Sequence, residues 1–201
     1  MSARDALDAE RLRAALATQR IGHRIVLLQE TTSTNDAVAE MAAENAEGLV
    51  VLAEEQTSGR GQYGRRWESA PGKGLWMSVL LRPRLAVADS RRLTDFLAHV
   101  IAATVQEQSG IETSIKPPND VYIADRKIAG VLVEMRVERG GGYCAIAGIG
   151  INVNQALSDF PAGLRDSAGS LSLATGGSID RTDLAIGLLR KMDEHYIAAQ
   201  L

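Results

Sequence analysis

The sequence predicts an α+β fold, a mixed and mostly antiparallel sheet with helices packed on it. Apolar runs of strand length follow one another along the chain and are closed by glycine or proline turns. The run 90–108 carries apolar residues at helical spacing and predicts the longest helix. Gly140 to Gly142 separates two strand-like runs and predicts a hairpin turn. Helices and strands are therefore segregated along the chain, which is typical of this fold class.

Local signals define the elements in chain order. Leu7, Leu12 and Leu16 lie near one face of the first predicted helix, and residues 33–36 and Asp180 supply N-caps for two later ones. Residues 58–73 predict a long loop, and residues 155–179 follow no single period. The predicted helices are 8–16, 33–45, 90–108 and a last helix from 180 to the C-terminus. The predicted strands are 24–29, 49–55, 75–81, 113–115, 121–123, 128–138 and 143–152.

Length and composition indicate one soluble domain over residues 1–201. The chain is 45% hydrophobic and 23% charged, which is ordinary for a globular protein. Its 22 Lys and Arg against 25 Asp and Glu give a net charge of −3, which argues against a general nucleic-acid binder. A single cysteine, Cys144, excludes an internal disulfide. Because no apolar run could span a bilayer or form a signal-peptide core, we expect a cytoplasmic protein.

The long loop contains residues 59–64, which read G-R-G-Q-Y-G and match the dinucleotide-binding pattern G-x-G-x-x-G. That pattern requires a helix directly after the loop, whereas Pro71 and Gly72 follow here. Long loops inside small domains are usually functional, and glycines beside guanidinium groups can surround a carboxylate or phosphate. The loop therefore predicts an anion site. Its cations are Arg60, Arg65, Arg66 and Lys73.

Two further clusters each allow two interpretations. Residues 116–120 read K-P-P-N-D, and their two prolines hold a lysine, an amide and a carboxylate rigidly on a strand connection, either as a site or as a turn. Residues 148–154 read G-I-G-I-N-V-N. Glycines two residues apart leave bare backbone on one face of a strand, which admits either a ligand or tight packing within the protein.

Taken together, these clusters resemble the biotin–protein ligases, which attach biotin to a lysine of a carrier domain. The family's catalytic fold, related to class II aminoacyl-tRNA synthetases and lipoate ligases, agrees with the α+β prediction. The resemblance covers about residues 30 to 155, with the motifs in family order. The matching segments are 33–35, 56–61 with Arg65 and Trp67, 74–78, Lys116 with 118–120, 127–134 and 148–152.

Several features depart from the family pattern. Pro117 stands where the family usually has a tryptophan, and Gln62 stands where an arginine is frequent. The chain ends at Leu201, whereas many relatives continue into a small β-barrel domain. We find no winged helix before the catalytic part, so the DNA-binding repressor function of some relatives is not expected.

The resemblance implies an ATP-dependent ligase, a biotin–[acetyl-CoA-carboxylase] ligase. The biotin carboxylate attacks ATP to give biotinyl-5'-AMP, and a lysine of a biotin carboxyl carrier domain then takes up the biotin. ATP is expected as its Mg²⁺ complex, because the metal assists the pyrophosphate leaving group. The implied partner is the carrier domain of a biotin-dependent carboxylase, with no DNA and no membrane, and a homodimer is compatible with the resemblance.

The resemblance also implies the site residues. Lys116 and Arg60 are the catalytic candidates, because cations must neutralise the reacting carboxylate and phosphate. Trp67 is the candidate for stacking on adenine. The implied biotin-binding residues are Ser33, Thr34, Asn35, Gln56, Gly59, Arg60, Gly61, Lys116, Gly130 and Gly148. The implied nucleotide-binding residues are Arg65, Trp67, Asn119, Lys127 and Asn152.

Two other functions remain open. A lipoate–protein ligase would share the fold, the adenylation step and the carrier lysine. A non-catalytic module that binds biotin or biotinyl-AMP is suggested by the missing barrel domain and by Pro117, whereas the presence of both Arg60 and Lys116 argues against it.

Overall fold

A computed structural model describes residues 6–16, 20–138 and 141–199 of the chain. Seven strands form one sheet in the order β1-β2-β3-β7-β6-β5-β4. β1 and β2 are parallel, and the other neighbouring pairs are antiparallel, so the predicted α+β class is confirmed. The strands are β1 Arg24–Thr31, β2 Leu49–Gln56, β3 Gly74–Leu81, β4 Ser114–Lys116, β5 Asp120–Ile123, β6 Arg126–Val137 and β7 Tyr143–Asn152. Of the predicted hairpin turn, Gly140 lies outside the described residues.

The four predicted helices are present in order with small changes at their ends, and a short helix at 171–175 lies in the segment for which the sequence predicts no element. The Ser33 side chain accepts a hydrogen bond from the backbone N–H of Asn35 and caps the second helix, which ends at Met41 and continues as a 3₁₀ turn. The long third helix ends at Gly110, whose φ of 70° suits glycine. The helices are α1 Ala9–Ala15, α2 Thr34–Met41, α3 Ser90–Ser109, α4 Leu171–Thr175 and α5 Arg181–Ala198.

The two faces of the sheet differ because side chains alternate along each strand. On β3, Leu75 and Met77 face the large core, which also includes the apolar faces of α3 and α5. Leu80 belongs to a smaller cluster on the opposite face, under α2. This second face is the one on which the polar residues of the cavity described below are found. Within the described residues, no helix has both the length and the apolar character needed to cross a membrane.

Candidate active site

A cavity of about 550 Å³ lies on the second face, over β6 and β7. Strand alternation explains its floor: Gly130 and Leu132 of β6 are two residues apart, as are Gly148 and Gly150 of β7, and all four line the cavity. The register pairs Gly130 with Gly150 and Leu132 with Gly148. The volume is in the usual range for small-molecule pockets.

The floor glycines make room for two side chains of the protein itself. A Cβ atom at Gly148 would lie 2.3 Å from Asn35 Oδ1, and one at Gly150 would lie 2.6 Å from the Trp67 ring. A Cβ atom at Gly130 would also lie 3.0 Å from the Trp67 ring. Of the two interpretations of the 148–154 glycines, the structure therefore supports close packing, and the packed groups are walls of the cavity.

One end of the cavity is neutral and hydrogen-bonded. Four oxygens form a line, which we call the oxygen row: Asn35 Oδ1, Ser78 Oγ, Thr34 Oγ1 and Gln56 Oε1. Successive members are 2.6, 2.7 and 3.1 Å apart. The backbone N–H of Thr34 also donates to Gln56 Oε1 at 2.9 Å, so the start of α2 and the end of β2 are joined here.

Charged side chains also surround the cavity, and we call the groups around Arg60 and Lys127 its charged end. The Arg60 guanidinium donates two hydrogen bonds of 2.7 Å to the two carboxylate oxygens of Asp36 and a weaker one of 3.3 Å to Glu134. The hydrogen bonds from Arg60 hold the pKa of the Asp36 carboxyl below its usual value. Asn35 Nδ2 donates to the same oxygen of Glu134 at 2.7 Å, which connects this end to the oxygen row.

A second cation, Lys127, lies over the floor. Its ammonium is 2.6 Å from Asp120 Oδ1 and 5.3 Å from the centroid of the Trp67 ring. Trp67 meets the fully buried Trp76 edge to face, with centroids 6.2 Å apart. Lys127 and Trp67 are thus held next to each other by a carboxylate and by the bare floor of the sheet.

The glycine-rich loop is closed by its own backbone. Gly61 N–H donates to Arg65 O, and Trp67 N–H donates to Gly59 O, at 2.7 and 2.9 Å. Tyr63 lies at the tip with a positive φ of 60° and an exposed fraction of 88%. Lys73, the last cation of the loop, instead pairs with Asp159 at 2.8 Å.

The structure brings most of the predicted site residues together, with two differences. Gly59 and Lys116 are not among the lining residues. Lys116 is exposed on the short edge strand β4, and its ammonium lies 3.9 Å from the centroid of the Tyr122 ring. Tyr122 does line the cavity, so Lys116 is one side chain away from it. The predicted residues that line it are Ser33, Thr34, Asn35, Gln56, Arg60, Gly61, Arg65, Trp67, Asn119, Lys127, Gly130, Gly148 and Asn152.

Sequence reasoning missed the partners of the cations and one wall. Asp36 directly follows a predicted motif, yet nothing in the sequence indicates that it pairs with Arg60. Phe160, Leu164 and residues 167–168 complete the cavity from the segment without periodicity. That segment is attached through Lys127, whose N–H donates to Ser167 O. Among the described residues, no group of three or more His, Cys, Asp or Glu side chains is arranged to hold a metal ion.

Comparisons with known proteins point in one direction. The model of the biotin/lipoate A/B protein ligase family matches residues 27–152. The chain is 39% identical over 191 residues to the bifunctional ligase/repressor BirA of Bacillus subtilis, covering 94% of this chain and 59% of that relative. It is 32% identical over 206 residues to the biotin–[acetyl-CoA-carboxylase] ligase of Mycobacterium tuberculosis, covering 96% of this chain and 72% of the other.

Solved structures agree with the family match. The biotin protein ligase of Aquifex aeolicus, solved with biotin and ATP, superposes with a TM-score of 0.76 at 32% identity, covering 89% of this chain and 72% of that one. The Leishmania major enzyme, solved with biotinyl-5-AMP, gives 0.69 at 26% identity, covering 89% and 80%. These neighbours have the same fold as the chain described here.

Proposed function

Because the chain belongs to the biotin/lipoate A/B protein ligase family, we propose that it activates biotin with ATP and transfers it to a lysine of a biotin carboxyl carrier domain. The observation that carries this proposal is one cavity lined both by neutral hydrogen-bonding side chains, such as Thr34 and Gln56, and by the cations Arg60 and Lys127. Biotin has the matching form, a neutral ureido ring at one end and a carboxylate at the other.

In the proposed first step, a biotin carboxylate oxygen attacks the α-phosphorus of ATP, and the bond to the pyrophosphate leaving group breaks. Two anions must approach each other, so cations at the reacting atoms lower the barrier. Arg60 and Lys127 both line the cavity and are suited to this role. Lys116 remains a candidate only if its side chain leaves the Tyr122 ring and turns inward.

The remaining roles follow from position. Trp67 has one side against the floor glycines, and we propose that its other side stacks on adenine. Asn152 lines the same cavity and donates to Gly169 O at 2.9 Å, and we propose that it contacts the edge of the adenine ring. We propose that Mg²⁺ arrives with the ATP phosphates, since these supply the oxygen ligands that the metal prefers.

In the proposed second step, the neutral amine of a carrier lysine attacks the acyl carbon of biotinyl-5'-AMP. An amide bond forms, AMP leaves, and the amine's proton passes to solvent. This step requires no nucleophile from the protein itself. Arg65 and Tyr63 are exposed and line the cavity, and we propose that an incoming carrier lysine passes them.

The test is incubation with ATP, Mg²⁺, biotin and a biotin carrier domain, followed by intact-mass measurement of the carrier. We expect a mass increase equal to one biotinyl group, which disappears when the acceptor lysine is replaced by arginine. A parallel reaction with lipoate tests the related ligase activity. Biotin binding by calorimetry without ATP turnover would instead indicate a binding module, and the proposal would be wrong.

A further inference from the structure

Residues 164–169, which we call the wall segment, are attached to one dipeptide at the start of β6, residues 126–127. Both backbone groups of the second residue, Lys127, take part. Its N–H donates to Ser167 O at 2.8 Å, and its carbonyl accepts from the N–H of Gly169 at 2.9 Å. These two bonds form an isolated parallel bridge. A single bridge is a short attachment, so side chains must supply the rest of it.

The Arg126 side chain supplies that attachment. Its Nη1 donates to Arg165 O at 2.5 Å and to Ala168 O at 3.0 Å, so one guanidinium holds two carbonyl groups of the wall segment. Hydrogen bonds from a charged donor are stronger than those between neutral groups. The stem of the same side chain packs on the wall segment, because an added Cβ atom at Gly169 would lie only 2.8 Å from Arg126 Cβ. Arg126 thus holds the wall segment both by its head and by its stem.

The wall segment faces the part of the cavity in which we place the nucleotide. Three of its residues line the cavity, Leu164, Ser167 and Ala168. The segment is bonded to the backbone of Lys127 and to the side chain of Asn152, both of which are proposed nucleotide contacts. The oxygen row, in contrast, is built by α2, β2 and β3. Displacement of the wall segment should therefore weaken the binding of ATP and leave the ring of biotin in place.

We propose that Arg126 is a positioning residue for ATP: it holds the wall segment against β6 and thereby keeps the nucleotide side of the cavity in shape. The inference rests on the proposed function and deepens it. Arg126 is not a lining residue, so it acts through the wall segment and not through its own charge on the phosphates. The two residues of the dipeptide thus divide the work, with Lys127 directed to the reacting anions and Arg126 to the wall.

Two variants displace the wall segment by different means. Arg126→Gln removes the charged donor, and the shorter amide cannot reach both carbonyl groups. Gly169→Ala keeps every charge but places a methyl group against Arg126 Cβ, so the segment must move away. In both variants we expect about tenfold weaker binding of α,β-methylene-ATP, in which the bond that the reaction breaks is blocked, as for one or two lost hydrogen bonds. Biotin affinity should change less than about threefold, because the oxygen row is a separate site. Calorimetry measures both affinities.

Trypsin reports the position of the wall segment directly, because Arg165 lies within it and is exposed. We expect faster cleavage after Arg165 in both variants, and slower cleavage of wild-type protein when α,β-methylene-ATP is added. Saturating ATP should restore the rate of adenylation to within about threefold, since a positioning role raises KM and leaves kcat nearly unchanged. Arg126→Lys should regain part of the affinity, because an ammonium can donate to the same carbonyl groups.

Gly163→Ala and Arg24→Gln are the matched controls. An added Cβ atom at Gly163 meets no atom within 4 Å, although this residue directly precedes the wall segment. Arg24 is an arginine on the edge strand β1, where it donates to Asn45. Both controls should keep the ATP affinity and the trypsin resistance of the wild-type protein.

The inference is wrong if folded Arg126→Gln and Gly169→Ala bind α,β-methylene-ATP as the wild-type protein does. It is also wrong if only Arg126→Gln binds more weakly, because the charge would then act on the phosphates directly. The proposed function fails separately. Wild-type protein that binds α,β-methylene-ATP but transfers no biotin to the carrier contradicts the ligase proposal, whereas a biotinylated carrier together with unchanged variants contradicts only the role of Arg126.

Discussion

The neutral end and the charged end of the cavity are held in place by different interactions, hydrogen bonds between neutral groups at one and ion pairs at the other. At the neutral end the oxygen row keeps each partner in place, because its amides and hydroxyls are held by other groups of the protein. At the charged end Arg60 and Lys127 already have carboxylate partners, Asp36 with Glu134 and Asp120 respectively. An incoming anion must share these cations with the carboxylates or displace them.

This difference predicts different consequences for the reaction. A cation that gives up a protein carboxylate for a substrate anion adds little binding energy in the ground state. Its main effect appears in the transition state, when the substrate carboxylate and the phosphate approach each other. The neutral groups of the oxygen row, in contrast, contribute their full interaction energy as soon as the ring of the acid binds. The charged end should therefore control the rate of adenylation, and the neutral end should control which acid binds.

The largest effect is expected at Lys127. Lys127→Met removes the cation that lies between Asp120 and Trp67, and adenylation should fall by about 10²- to 10³-fold, as for other lost charge-stabilising donors. Biotin affinity should change less than about threefold, because the carboxylate end contributes little to ground-state binding. Pyrophosphate exchange measures the first quantity and calorimetry the second.

Two lysines provide the controls for this variant. Lys73→Met removes a loop cation that pairs with Asp159 outside the cavity, and it should leave adenylation unchanged. Lys116→Met tests the catalytic role expected from the sequence. We expect a smaller loss than at Lys127, and an equal loss would show that Lys116 swings into the cavity during the reaction.

The next effect concerns the neutral end. In Gly148→Ala the new Cβ would lie 2.3 Å from Asn35 Oδ1, so the amide must move and its contact with Ser78 is broken. We expect about 1–3 kcal/mol of lost stability from the overpacking and at least tenfold weaker biotin binding. Gly177→Ala is the control, since no atom lies within 4 Å of the added Cβ. An unchanged biotin affinity in folded Gly148→Ala would mean that the oxygen row does not bind the biotin ring.

Much of the fold could be predicted because its signals are local. Apolar alternation and cap residues such as Ser33 and Gly110 define most strands and helices within a few residues. The strand neighbours β3 and β7 are far apart in the chain, and no local signal pairs them. Residues 155–179 contain only short turns and α4, whose Leu171 is buried in the large core far from it in the chain.

The site was predictable as a set of residues but not as an arrangement. The motifs bring Arg60, Lys127 and Thr34 to attention individually, yet the ion pair with Asp36 and the buried contact with Ser78 depend on how β3 packs under α2. Lys116 illustrates the limit. Its motif predicts a catalytic role, whereas in the structure Lys116 is on the edge strand β4 and its ammonium packs over the Tyr122 ring.

A moderate effect is expected at Pro117. Pro117 lines the cavity. Trp76 is fully buried against Trp67 and is not a lining residue, so it does not replace the tryptophan that the family usually has at position 117. Pro117→Trp should add apolar contact with the ring and chain of biotin. At roughly 25 cal/mol per Å², tens of Å² give about 1–2 kcal/mol, or roughly tenfold tighter binding by calorimetry. Unchanged affinity in a folded variant would mean that other residues already close this wall.

The smallest effect is expected on the stability of Asp36→Asn at acid pH. Its pKa is held below the ordinary value of 3.8 mainly by the hydrogen bonds from Arg60. A carboxyl with a lowered pKa in the folded state stabilises the fold above its unfolded pKa, and this contribution is lost as the pH falls through the folded value. Urea unfolding of Asp36→Asn should therefore show a shallower loss of stability between pH 5 and pH 2, by less than about 1 kcal/mol for so exposed a pair.

Asp159→Asn is the matched variant for this comparison. The pKa of Asp159 is also lowered, chiefly by its hydrogen bond with Lys73. The stability of Asp159→Asn should therefore also fall less steeply between pH 5 and pH 2. The two variants should differ in biotin binding, because Asp36 holds a cation that lines the cavity and Asp159 does not. If both leave the pH dependence of biotin affinity unchanged, the Asp36–Arg60 pair contributes to the fold alone, and the charged end of the cavity must be assigned to Lys127 and its carboxylate.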